Sequence, residues 1–385
     1  KAGNLTINTK RLLLETGGSI STASFSGGKA GNLLINASEL VQINGTTIDN
    51  EDRPSILTAS SSGTGTAGDI TIITSALQIK NGAILRSRTA ADSDAGNIIL
   101  QVIDSIILTG ENSGIIANTA ADSSGNGGSI SIAPTREVTI REQAQIAVDS
   151  QGSGQGGDIE LETDNLTLDR GLISAETVGN QGGNLNLTVN NLLLLRNGSD
   201  ITATAGTSAA GGDGGNINLT TNFLVAPPTE DNNITANAFT GQGGNVQITA
   251  QGIFGIEFRP AETSFSDITA SSEFGLSGIV VLNTPDVDVL SDLVKLPDQP
   301  ISVQPLEGCR ASSGGASSFV RTGKGGLPSN PYDLLETTNV LDDLSLPQEW
   351  SEMTREVPKQ IVKATGWIIN EEGMVELVAQ KPSCL

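Results

Sequence analysis

The side chains able to do chemistry in this 385-residue chain are mostly carboxylates: 43 Asp and Glu stand against 21 Lys and Arg, and there is no His. Without an imidazole no Ser-His or Cys-His pair can be assembled. Acid–base work would fall to paired carboxylates, as in glycoside hydrolysis, where two carboxyl groups flank the scissile bond. Asp149, Asp158, Glu160, Glu162 and Glu176 lie near one another in the repeat order set out below and are the candidates. Glu160 and Glu162, two apart on one strand, read equally as a solvated strand face. Arg86 and Arg88 share an outward face and would suit the arginine base of a lyase, although their own strand carries no acidic cluster. Cys309 and Cys384 are either two free thiols or a disulfide. Two sulfurs without His leave a zinc site short of ligands. No cofactor is expected, with Ca2+ on surface carboxylates a weak candidate.

A net charge of −22 argues against nucleic acid, whose phosphates need clustered Lys and Arg, and against an anionic membrane surface. Acidity of this size is well explained as keeping a long β-surface soluble. No stretch is long or apolar enough to span a bilayer as a helix. Lys1 opens inside a repeat with no leader before it, which predicts a piece of a longer protein.

The elements that must position these groups come from internal repetition. A Gly-Asn or Gly-Asp pair followed by an apolar alternation recurs at Gly3-Asn4, Gly31-Asn32, Gly68-Asp69, Gly96-Asn97, Gly157-Asp158, Gly183-Asn184, Gly215-Asn216 and Gly244-Asn245. Gly128-Ser129 is a variant, and Gly278-Ile279 is a degenerate last copy. Within the unit from Gly183 the alternations are Leu185, Leu187, Val189, then Leu192, Leu194, then Ile201, Ala203, Ala205. Period two buries one face, so each unit predicts three short strands and one triangular coil. The third strand is the most regular, as in Leu57-x-Ala59, Ile115-x-Ala117, Ile146-x-Val148, Ile173-x-Ala175 and Ile201-x-Ala203. Only 3% of residues are aromatic, so the core must be Ile, Leu, Val and Ala in thin layers.

The Gly is expected to supply positive φ at a corner, and the Asn to tolerate the left-handed region while bonding nearby backbone. Stacking would then align Asn4, Asn32, Asp69, Asn97, Asp158, Asn184, Asn216 and Asn245 as a hydrogen-bonded ladder. Ser-, Gly- and Thr-rich segments at 60–67, 120–127 and 206–214 are expected to protrude as variable loops. Phe254, Phe258, Phe265 and Phe274, four of the chain's eight phenylalanines, are expected to cap the open end of the stack, with an aromatic ligand pocket as the alternative.

After Asn283-Thr284-Pro285 the repeats stop, and nine of the fourteen prolines lie from Pro285 onward. The expected domains are therefore 1–284, the repeats, and 285–385, a capping or anchoring unit. In the latter, 333–344 predicts a short helix, and 366–370 with 374–378 predict a β-hairpin.

The repeated Gly-Gly-Asn-Leu/Ile-x-Leu/Ile turn with its Ile-x-Ala strands resembles the filamentous-haemagglutinin-like exoproteins of two-partner secretion. The tail adds Asn283 to Asp288, Cys309, Ser318-Phe319-Val320-Arg321-Thr322-Gly323-Lys324-Gly325-Gly326-Leu327-Pro328, Gly366-Trp367-Ile368 and Cys384. The resemblance covers nearly the whole chain, without the N-terminal secretion domain of the family. It implies an all-β, right-handed parallel β-helix, here of about nine to ten coils with a small C-terminal α+β cap. It also implies export through an outer-membrane β-barrel partner, to the outside or outer surface of a diderm bacterium. Some such exoproteins use a C-terminal cystine loop as a tether, and Cys309 is expected to pair with Cys384 in an exported, repeat-free tail. The function expected is a non-enzymatic structural or adhesive rod, meeting surface glycans or proteins or self-associating into fibres. The alternative is a carbohydrate-active or carbohydrate-binding β-helix.

Overall fold

The computed structural model describes residues 2–48, 52–90, 92–121, 123–206 and 211–285, and the backbone of 366–369 and 375–378. The chain divides into two compact units, 1–290 and 291–385. The described part of the first is all-β, without a helix, and is a parallel β-solenoid. In the second, Gly366–Ile369 pairs antiparallel with Val375–Val378, Gly366 opposite Val378, which is the expected hairpin. The helix expected at 333–344, and Cys309 and Cys384, lie outside the described residues.

Two parallel ten-stranded sheets run the length of the solenoid. One is built of long strands, from Leu5–Glu15 through Leu185–Arg196 to Ile279–Asn283. The other is built of short strands such as Leu172–Ser174 and Asp200–Thr202. Where three strands per coil were expected, the first two alternations form one continuous bent strand. In Ile159–Asp169 the residues Ile159, Leu161 and Thr163 are buried on one arm and Leu166 and Leu168 on the other. A register shift between Thr163 and Asn165 marks the bend, where the Thr163 hydroxyl donates to the Asn165 carbonyl at 3.1 Å. Thr74 and Thr221 make the same contact two residues on, at 3.2 Å each. A local side-chain bond thus satisfies a carbonyl that the bend would leave unpaired.

The bend also resolves the run Leu192 to Leu195. Leu193 and Leu195 are fully buried, and not Leu192 and Leu194 as the alternation had suggested. Leu193 pairs with Leu166 and Leu195 with Leu168, so the phase is dictated by the neighbouring coil. Four consecutive leucines carry no phase of their own.

The short strands behave as the Ile-x-Ala pattern predicts. Ile115, Ile146, Ile173, Ile201, Ile234 and Ile268 stack in register and are all buried. The small residue two places on is buried beside them, as in Ala117, Ala175, Ala203 and Ala236. Where Ser87 replaces this Ala its hydroxyl donates to Gly68 O at 2.8 Å and accepts from Gly96 N–H at 3.0 Å, so no buried polar atom is left open.

The glycines of the Gly-Asn turns do not have positive φ; the left-handed residues sit at a different corner, after the long strands, at Asn81-Gly82 and Asn197-Gly198 among others. None of the ladder Asn or Asp residues is left-handed either. What requires glycine in the Gly-Asn turn is close approach. A Cβ on Gly183 would lie 1.7 Å from Gly157 O, and one on Gly215 1.8 Å from Gly183 O. The same holds from Gly31 to Gly278, each over the carbonyl of the glycine one coil before. The following Asn or Asp caps the next coil. Asn4 Oδ1 accepts the Asn32 N–H at 3.0 Å, Asn32 Oδ1 that of Asp69 at 3.2 Å, and Asp69 Oδ1 that of Asn97 at 3.0 Å. Asn97 Oδ1 accepts from Ser129 at 3.0 Å, and a second run goes from Asp158 through Asn184 and Asn216 to Asn245.

The Ser- and Gly-rich segments do not protrude where they are described. Their backbones stack as well: Gly125 would place a Cβ 2.0 Å from Ser93 O, and Gly152 one 1.8 Å from Ser123 O. Asp94 Oδ1 accepts the Asn126 N–H at 2.8 Å and Asn126 Oδ1 that of Gln155 at 3.0 Å, a second capping ladder. Residues 207–210 lie outside the description.

The four aromatic residues near the end of the stack are between 45% and 69% exposed, so they do not close a core among the described residues. Phe254 lies beside Phe223 of the preceding coil at 6.4 Å, and Phe274 meets Phe239 edge-on at 5.0 Å, both on the outside. The short-strand sheet ends on Glu257–Phe258, which carries one of the four and pairs with Asp267–Thr269.

Candidate functional site

Chemistry concentrates on the outward side of the short-strand sheet. Two outward columns flank each buried Ala or its equivalent. One reads Thr58, Arg86, Ile116, Ala147, Ser174, Thr202, Thr235 and Thr269, and strand pairing holds it in register. The second reads Ser60, Arg88, Asn118, Asp149, Glu176, Thr204, Asn237 and Ser271, fixed by the strand pair at Arg88–Asn118 and by single bridges one residue further on. Asp200 precedes the buried Ile201 and points outward beside them.

Four carboxylates gather on this face, in coils that the sequence separates by dozens of residues. Asp149 Oδ1 accepts from Ser174 Oγ at 2.5 Å and from the Glu176 N–H at 2.9 Å. Glu176 Oε1 accepts from Thr202 Oγ1 at 2.8 Å. Asp200 is bonded by Asn233, and Glu262 Oε1 accepts from Asn237 Nδ2 at 2.7 Å. Glu176, Asp200 and Glu262, with Thr202, Thr204 and Asn233, line an open depression of about 380 Å³. Glu262 reaches it from the segment between Phe258 and Asp267. That segment is held by the fully buried Asp267, which forms a close ion pair with Arg259 and accepts from Thr263 Oγ1 at 2.8 Å.

Among the described residues no cation offsets these carboxylates within the cluster, so burial dominates their titration. It lifts the Glu176 carboxyl to about 7, helped by repulsion from Asp149, Asp200 and Glu262, against the Thr202 bond. Burial likewise lifts Asp200 to about 6, with Glu262 and Asp231 adding to it. Asp149 and Glu262 are raised for the same first reason. A carboxyl near neutrality is suited to proton transfer, and a row of them to polar recognition.

This has a consequence for stability. Glu176 binds its proton more tightly in the folded chain than in the unfolded one, so its favourable contribution is complete below pH 4.5 and is lost as pH rises toward 7. The chain is therefore expected to be more stable at pH 5 than at pH 8, with Glu176 contributing about 3 kcal/mol of the difference. In Glu176→Gln the slope of unfolding midpoint against pH should flatten. A midpoint that rises from pH 5 to pH 8 in the parent would contradict the burial of this group.

Of the carboxylates singled out from sequence, Asp149 and Glu176 come together here. Asp158 belongs to the capping ladder, and Glu160 and Glu162 are exposed on the long-strand sheet, away from this face. Arg88 stands on the same column as Asp149 and Glu176, two and three coils earlier, and Arg86 on the column beside it. Asp200 was legible from its place before the Ile-x-Ala motif; Glu262 was not, because its segment follows no period. Among the described residues no group of three or more Asp, Glu or Cys is placed to hold a metal ion. Compared with protein-family models, curated proteins and solved structures, the chain matches none.

Proposed function

We propose that this chain is a stiff structural or adhesive rod, non-enzymatic, working outside the cell or on the outer surface of a diderm bacterium. The observation that carries this reading is the way each coil is committed to the next. The glycine spine and both sheets continue unbroken from the first coil to the last, the Asn ladder follows them in two runs, and their recurring polar and backbone contacts serve stacking. Repeats whose only neighbours are other repeats make length and rigidity from identical units. The likeness of the turns and the tail to filamentous-haemagglutinin-like exoproteins supports export by two-partner secretion, through an outer-membrane β-barrel partner. It also supports a Cys309–Cys384 disulfide in the tail.

A second reading rests on the depression around Glu176 and Asp200, whose raised carboxyls would suit a carbohydrate-active site. One deletion separates the two. Removing 157–182 excises one coil from glycine to glycine and lets Gly183 stack over Gly128, while removing Glu176. A rod should stay folded, stay on the surface of the producing cells, and still retain those cells on their substratum. Glu176→Gln should leave cell retention unchanged. Loss of retention in Glu176→Gln, together with reducing ends released from polysaccharide by the parent chain alone, would overturn the rod in favour of the enzyme.

A further inference from the structure

Arg86 and Arg88 are anomalous among the described residues. Both lie half-buried on the short-strand face, their Nε atoms are shielded from water without a hydrogen-bond partner, and neither forms an ion pair there. The buried Oδ1 of Asn118, one coil on beside Arg88, is unpartnered too. Two guanidiniums on alternate residues of one strand repel each other, and shielding removes the water that would solvate them. Arg86 feels both effects: burial first, then Arg88, pull its pKa below the ordinary value. A guanidinium is a rigid fork of donors that suits a bidentate carboxylate.

The same face carries the complementary deficit. Asp149 and Glu176 stand two and three coils along Arg88's own column, and Asp200 one coil further in the row before Ile201, with no cation among them in the described residues, raised in pKa chiefly by burial. Arg86 and Glu176 are three coils apart, about 14 Å at the spacing of adjacent strands. Between their coils the first column is apolar, Ile116 then Ala147, while the second carries Asn118 then Asp149. A row ordered cationic, apolar, anionic is self-complementary under a two-fold rotation. An axis lying in the plane of contact, along the strands and between the coils of Ile116 and Ala147, lays the Arg86 coil of one copy on the Glu176 coil of the other, and the reverse, in an isologous contact with each column facing itself.

We propose that the short-strand face is a docking surface for a second copy of this chain, with the rods antiparallel. Arg88 of each copy meets Glu176 of the other on the second column, with Arg86 beside that pair and Asn118 opposite Asp149. The contact satisfies both desolvated guanidiniums and restores the ionised form of the carboxylates, over an apolar centre of Ile116 and Ala147. It adds a lateral partner to the rod and does not depend on export or adhesion, so its failure would leave the proposed function standing.

The test uses the purified 385-residue chain in sedimentation velocity at low ionic strength. The parent should self-associate with concentration and dissociate as salt screens the charges. R86E/R88E and, separately, E176K should each be monomeric. Mixed in equal amounts the two variants should form a heterodimer, because each then offers what the other lacks. Should charge reversal disturb folding, R86Q/R88Q with an unchanged unfolding midpoint must still weaken association. A parent that stays monomeric, folded variants that associate like the parent, or a mixture without heterodimer each overturns the proposal. So does capture of a soluble polyuronate by Arg86 and Arg88 in a chain that never pairs.

Discussion

Gly183→Ala is expected to destabilise the solenoid by about 3 kcal/mol or more, because one methyl group cannot be accommodated without moving backbone. The added Cβ would stand 1.7 Å from Gly157 O and 2.7 Å from Gly157 C, neither of which can rotate away. Relief would require parting two coils that share capping bonds from Asp158 to Asn184 at 2.9 Å. Two other glycines make the comparison informative. Gly198 has φ +77 with nothing nearer than 3.9 Å, so Gly198→Ala meets backbone strain alone, about 1–2 kcal/mol. Gly3 has neither positive φ nor a neighbour within 4 Å, and Gly3→Ala should be neutral or slightly stabilising, by roughly 0.5 kcal/mol. Urea unfolding of the three variants gives the order directly. If Gly183→Ala costs no more than Gly198→Ala, the close approach along the glycine spine is not what holds the coils at their spacing.

Leu193→Ala should cost about 2–5 kcal/mol, whereas Leu192→Ala, at the bend beside it, should cost under about 1 kcal/mol. Leu193 is fully buried and paired with Leu166 on the coil below; Leu192 is half-exposed and opposite Asn165. Truncating Leu193 opens a cavity between two stacked layers that rigid neighbours cannot fill. The difference between the variants reads the phase of the second arm of the long strand. Equal costs would place the bend one residue away from where it stands, at Asn190 to Leu192.

These two results bear on how much of the molecule is written in its chain. The repeat at Gly-Asn, its spacing and the Ile-x-Ala alternation were enough for a parallel β-solenoid. A period-two pattern repeated at intervals of one coil has few ways to bury its apolar residues other than by stacking. The hairpin at 366–369 and 375–378 was equally local, two apolar runs about a Glu-Glu-Gly turn. The role of the glycine was not legible. Positive φ and close approach both call for the absence of a Cβ, and only the neighbouring coil distinguishes them. The protruding loops failed for the same reason, since Ser and Gly suit an exposed loop and a stacked backbone alike.

The candidate site divides in the same way. Asp149 and Glu176 could be named from the chain because they lie near each other in the repeat order, and Asp200 could have been. That Arg86 and Arg88 look along the same face toward them required the registers of successive short strands, each set by its neighbour. Glu262 required the fold outright, because an aperiodic insertion between Phe258 and Asp267 brings it over Asn237. By itself, then, the sequence determined that the coils stack and which residues turn inward wherever the alternation has a phase of its own, because apolar period and turn chemistry are local properties. Only the tertiary structure decided which outward residues become neighbours. Adjacency across coils depends on summed loop lengths and on the bends, which no single repeat contains.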